Sequence, residues 1–215
     1  MIRIGILGDI GSGKSFVAKS FNYPVFNADN EVGKLYKKNR GIFIKLNKTL
    51  PKYITQFPIK KQELTKTILA NNNNLKKIIK IIHPEIRKKM NIFLKKNKKS
   101  KLIVLDIPLL LENKINKRKD ILIFVQSDRT EILKRLKKRQ NFNSKIMNRF
   151  RKIQLPLDYK RKKSNFIIKN NFTNRFRKIQ LSLDYKRKKS NFIIINNFTN
   201  KTIKNQVKYI LKQIH

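Results

Sequence analysis

The chain has 215 residues, 40% of them hydrophobic, which suits one domain with a sizeable core. It has no cysteine, so disulfide frameworks and thiolate metal sites are excluded and a reducing, cytoplasmic location is expected. Lys and Arg number 54 against 12 Asp and Glu, a formal net charge of +42.

A charge of that size suggests a polyanion, either nucleic acid or a membrane surface. The lysines, however, are spread over most segments alongside abundant Asn and Ile, and aromatic residues do not interleave with them as a stacking platform needs. A nucleic-acid footprint should be clustered. The charge therefore reads as compositional drift, with no specific nucleic-acid partner expected. No apolar stretch approaches a membrane span, and "MIRIGILG" is too short and glycine-broken for a signal peptide. No membrane association is expected, and the oligomeric state is not legible.

In chain order, "IRIGIL" (Ile2–Leu7) reads as a buried strand, followed by a glycine turn and a helix over "KSFVAKSF". "YPVFNAD" (Tyr23–Asp29) reads as a short second strand ending on an acid. From Glu31 to about Leu94 the pattern is helical and basic, broken near Pro51 and Pro58, with "NNNN" (Asn71–Asn74) marking a loop or a helix start. "KLIVLDIPLLLE" (Lys101–Glu112) holds a strand ending near Asp106, and "DILIFVQS" (Asp120–Ser127) is another. Strands alternating with helices predict a parallel α/β sheet.

The last third repeats itself. "RFRKIQLPLDYKRKKSNFIIKNNFTN" (149–174) is followed by "RFRKIQLSLDYKRKKSNFIIINNFTN" (175–200), and the copies differ only at Pro156/Ser182 and Lys169/Ile195. Two copies are too few for a solenoid, so this is a tandem duplication. Each copy reads as a basic helix and a short strand, "NFIIK" (Asn165–Lys169) and "NFIII" (Asn191–Ile195), before one closing helix over Thr202–Ile214. The first copy keeps Pro156 and is expected in the native positions. The second is expected to pair at the sheet edge as an extra strand, or to compete for the same slot.

Gly8-x-x-x-x-Gly13-Lys14-Ser15 is a P-loop pattern between a strand and a helix. In such a turn successive N–H groups point at phosphate oxygens, and the helix N-terminus adds positive potential. Lys14 would serve the β- and γ-phosphates and Ser15 would ligate Mg²⁺, so the predicted ligand is ATP with its metal. Asp29 and Asp106, both expected at strand ends, are candidate acids for taking a hydroxyl proton or orienting the metal. The alternatives are a helix N-cap for Asp29 and a cap or turn for Asp106.

Taken together, "GILGDIGSGKS", "FNAD", "IIHPEIRKKM", "VLDIPLLLEN" and "IQLPLDYKRKKSNFIIKNN" resemble the dephospho-CoA kinase family, in the family's order and over nearly the whole chain. The resemblance implies a three-layer α/β/α P-loop NTPase fold with a parallel sheet, a helical substrate-binding insertion (30–95) and a basic helical lid (128–164), all within one domain over 1–215. It implies transfer of the ATP γ-phosphate to the 3′-hydroxyl of dephospho-CoA, giving coenzyme A. Gly11, Ser12, Gly13, Lys14, Ser15 and Phe16 would bind ATP. Asp29 would be the catalytic base, with Asn27 where the family has a first acid. His83, Arg87 and Asp106 would serve the substrate. Arg135 and Arg139 would stabilise the transferring phosphate, and Asn170 or Asn196 would flank the adenine. The competing expectations are another P-loop nucleoside or nucleotide kinase, a nucleic-acid-binding P-loop protein, and a relic disrupted by the duplication.

Overall fold

A computed structural model describes residues 1–140, 142–170, 192–196 and 200–214. The predicted apolar runs form strands: β1 (Ile2–Gly8), β2 (Val25–Asn27), β3 (Leu102–Asp106), β4 (Ile121–Gln126), β5 (Phe166–Asn170) and β6 (Phe192–Asn196). They make one sheet in the order β2-β3-β1-β4-β5-β6. β1 pairs parallel with β3 and β4, β4 with β5, and β5 with β6. Nearly unbroken apolar strands are what a parallel sheet buried on both faces requires.

Side chains alternate across that sheet. Ile4, Ile6, Val104, Ile123, Val125, Phe166 and Ile168 point to one face. There they form a single core with Val17, Ala18 and Phe21 at helix α1 (Lys14–Ser20) and with Val207 and Ile210 of the last helix, α9 (Asn200–Ile214). On the other face α8 (Leu157–Lys163) packs on β1 and β4. Helices on both faces give the expected three-layer α/β/α arrangement.

The chain divides into two compact units. The sheet unit comprises Met1–Phe26, Lys99–Phe142 and Gln154–His215, and includes α6 (Arg129–Lys137). The helical unit comprises Asn27–Lys98 and Asn143–Ile153. It contains α2 (Ala28–Lys38), α3 (Arg40–Thr49), α4 (Lys61–Ala70), α5 (Asn72–Lys96) and α7 (Ser144–Lys152). Helix α5 packs on α2, α3 and α4 through a buried stripe of Leu75, Ile78, Ile82, Ile86 and Met90, spaced three or four residues apart. Asn71 caps α5, accepting from Asn73 N at 2.8 Å, so the asparagine run is a helix start. Helix α7 is tied to α4 and α5 by Arg149, which donates to Leu69 O at 2.8 Å and Asn72 Oδ1 at 2.6 Å.

One expectation is corrected here. The second strand ends at Asn27, not Asp29, and Asp29 lies in the first turn of α2. The reason is local: Asn27 takes the N-cap, its Oδ1 accepting from Asn30 N at 2.8 Å, which starts the helix at Ala28, one residue before the acid. The N-cap alternative for Asp29 falls with it.

The duplicated strands take the first of the two expected arrangements. β5, from the first copy, occupies the slot beside β4, and β6, from the second, adds at the edge. The register joins each residue to its own counterpart, from Phe166↔Phe192 to Asn170↔Asn196. The helix expected within the second copy lies outside the described residues.

Candidate active site

β1 runs into the P-loop, whose conformation only glycine tolerates readily: Gly11 has φ 84° and Gly13, the N-cap of α1, has φ 96°. The loop is closed around Asp9, with Ser12 N donating to its backbone O at 3.1 Å and Ile10 N to its side-chain Oδ1 at 2.7 Å. Lys14 is buried, and its Nζ donates to Gly8 O at 3.2 Å and Asp9 O at 2.7 Å. The ammonium is thus folded back over the loop that a triphosphate would enter. Ser15 is exposed in the first turn of α1. Ser12 is fully buried, and the Phe16 side chain is 45% exposed while its N–H donates to Gly13 O.

Helix α6 braces this loop. Arg135 donates through Nη1 to Gly11 O at 3.2 Å and through Nη2 to Ser127 Oγ at 2.9 Å. A Cβ on Gly11 would come within 3.0–3.1 Å of Leu136 and Ile132, so the loop needs glycine there for α6 to lie this close. Burial, and the nearby charge of Arg139, lower the Arg135 pKa against the opposing influence of Glu131. Arg139 is exposed just beyond the end of α6. Asp106 is buried at the C-terminal end of β3, the end of a parallel sheet where ligands bind.

Asp29, His83 and Arg87 belong to the helical unit. His83 and Arg87 are one turn apart on α5. Burial first, and the Arg87 charge second, push the His83 imidazole below its ordinary pKa. Asn170 and Asn196 are the last residues of β5 and β6 and pair with each other in register.

Sequence reasoning gave no role to Ser127, Glu112 or Lys160. Ser127 shows no signal beyond its place at a strand end. Lys160 is one of many lysines, and only its burial sets it apart.

A parallel sheet whose first strand feeds a Gly-x-x-x-x-Gly-Lys-Ser loop, with the lysine folded over that loop, defines a P-loop nucleoside-triphosphate-binding α/β protein. The family model for dephospho-CoA kinase (CoaE) matches residues 2–175. The chain belongs to the dephospho-CoA kinase family, whose members use ATP.

The dephospho-CoA kinase of Wolbachia pipientis wMel is 37% identical over 170 residues, covering 77% of this chain and 87% of that protein. That of Bartonella henselae is 34% identical over the same shares. Among solved structures, TT1252 from Thermus thermophilus aligns with a TM-score of 0.70 at 22% identity, covering 100% of this chain and 98% of that one. Dephospho-CoA kinase from Campylobacter jejuni aligns at 0.52 and 17%, covering 99% and 96%. These two share the fold. The family match contains the whole first repeat copy and stops where the second begins.

Proposed function

We propose that this chain transfers the γ-phosphoryl group of ATP to the 3′-hydroxyl of dephospho-CoA, forming coenzyme A, the last step of its synthesis. The observation that carries the reading is the P-loop with its buried, carbonyl-held Lys14, in a chain of this family. The 3′-oxygen attacks the γ-phosphorus, the bond to the β–γ bridging oxygen breaks, and ADP leaves. Lys14 and the N–H groups of Gly11 to Phe16 cradle the phosphates. Arg135 keeps the loop in shape, and Arg139 neutralises charge on the transferring group. Asp29 takes the hydroxyl proton. His83 and Arg87 bind the substrate within a helical region at 30–95, and the lid expected over 128–164 is confined to the residues before α8, which is packed on β1 and β4. Asn170 or Asn196 flanks the adenine.

Mg²⁺ fits the donors present. The Ser15 hydroxyl and the Asp106 carboxylate are hard oxygen ligands of the kind the ion prefers. When bound it would draw charge off the β- and γ-phosphates. Among the described residues no helix is long and apolar enough to cross a membrane, and a cytoplasmic location suits a cysteine-free enzyme drawing on ATP.

The test is ADP release by purified protein with dephospho-CoA, or with nucleosides and nucleoside monophosphates, as acceptor. Stimulation by dephospho-CoA alone is expected. Stimulation by nucleosides alone would replace the proposed substrate, and tight, sequence-selective nucleic-acid binding at physiological salt would overturn the reading of the charge as drift.

A further inference from the structure

Among the described residues two lysines are buried, Lys14 in the P-loop and Lys160 in α8. Lys160 is fully buried, and its Nζ lies 2.7 Å from Glu112 Oε1 and 3.3 Å from Gln154 Oε1. The same Glu112 oxygen accepts from Leu155 N at 2.9 Å, just before α8 begins. The other oxygen, Oε2, is buried with no hydrogen-bond partner among the described residues. The motifs "VLDIPLLLEN" and Gln154…Lys160 meet in this network.

Stability alone does not account for it. A buried ion pair pays a large desolvation cost, and well-packed apolar residues of similar volume commonly do as well or better. An acceptor left over in the same network adds to that cost. What the pair supplies is a fixed position. Glu112 closes the turn that follows Asp106, which is held by its own backbone bonds: Leu110 N to Ile107 O at 3.2 Å, Asn113 N to Leu109 O at 3.2 Å and Ile115 N to Leu110 O at 3.1 Å. On one side Leu110, fully buried, fills the space at Gly5 of β1, where a Cβ would stand 2.5 Å from Leu110 Cδ2. On the other side Glu112 grips Lys160 and the start of α8. The turn is clamped between the strand that leads into the P-loop and the helix on the same face.

We propose that Lys160 and Glu112 are positioning residues for phosphoryl transfer: their buried pair holds the turn after Asp106 against α8, and so sets Asp106 relative to the P-loop. This rests on the kinase reading above. It predicts a loss in turnover without a matching loss in nucleotide affinity, because the pair bonds to Gln154 and Leu155 N and acts on the site through Asp106.

The test compares Lys160→Met, Glu112→Leu and the double variant. Each single change leaves a buried charge alone and should lower the melting temperature. The double change removes both charges and should bring it back to wild type or above. ADP release by the double variant should stay down by about tenfold or more, with ATP affinity within about threefold of wild type. Wild-type turnover in a thermally restored double variant would overturn the proposal, leaving the pair a packing element. Glu112→Gln keeps an acceptor for Leu155 N and should retain several-fold more turnover per folded molecule than Glu112→Leu. If the double variant does not fold, equal losses in those two would overturn it. Turnover is read with whichever acceptor stimulates the wild-type protein, so a failure of dephospho-CoA would displace the substrate assignment and leave this comparison standing.

Discussion

Phe166 of β5 pairs with Phe192 of β6, its own counterpart one repeat later. A duplicated strand has thus been accommodated beside its original in the register that matches identical residues. The original strand keeps the place next to β4. The two strand sequences differ at one position, Lys169 against Ile195. A charge on an edge strand blocks further pairing, so the Lys-bearing copy is suited to an edge, and the added copy brings a more apolar strand to that role.

Deleting Arg175–Asn200 should leave a folded, active protein of 189 residues (215 minus 26). The rejoined chain keeps the sequence Asn-Asn-Phe-Thr-Asn between strand and closing helix, because Asn170–Asn174 repeats Asn196–Asn200. The core already places Val207 and Ile210 of α9 with Phe166 and Ile168 of the first copy. Melting curves and ADP release check this, with both expected at wild-type level or above. A folded but inactive variant would show that the second copy has a function of its own.

Lys14→Ala should nearly abolish phosphoryl transfer. It also removes two hydrogen bonds to loop carbonyls, for a stability loss of about 1–2 kcal/mol. Initial rates measured beside denaturant midpoints separate the two effects. A variant with wild-type turnover would rule out the P-loop chemistry.

Asp29→Asn should lower turnover by roughly 10²–10⁴-fold, the range for loss of a general base. The helix start itself should survive, because Asn27 remains the cap. A large stability loss with turnover per folded molecule intact would point to a structural role instead.

His83 sets a pH dependence whose sign follows from its lowered pKa. The folded state favours the neutral imidazole, so its stabilising contribution is present above the unfolded value of about 6.5 and is lost as pH falls below it. Between pH 7.5 and 5.5 the wild-type protein should lose more stability than His83→Gln. Parallel pH profiles would show that His83 carries no such linkage.

Much of this protein was legible locally. The P-loop, the apolar strands β1, β3, β4 and β5, the asparagine helix start and the repeat all follow from neighbouring residues: glycines where the backbone turns left-handed, β-branched runs, and side chains that cap the next turn. The sequence by itself therefore determined the fold class and the phosphate-binding element. The placement of Asp29 on a helix depended on Asn27 winning the cap, a competition between two adjacent polar residues that spacing alone does not decide. The rest was settled only by tertiary structure. Arg135 reaches Gly11 across 124 residues, Arg3 pairs with Asp120 at 3.0 Å across 117, and Lys160 is buried against Glu112 while other lysines of α8 stay in solvent. In a chain with 54 basic residues, which cation is desolvated depends on the acid that the packed sheet and helices bring to it, and that choice is made in three dimensions.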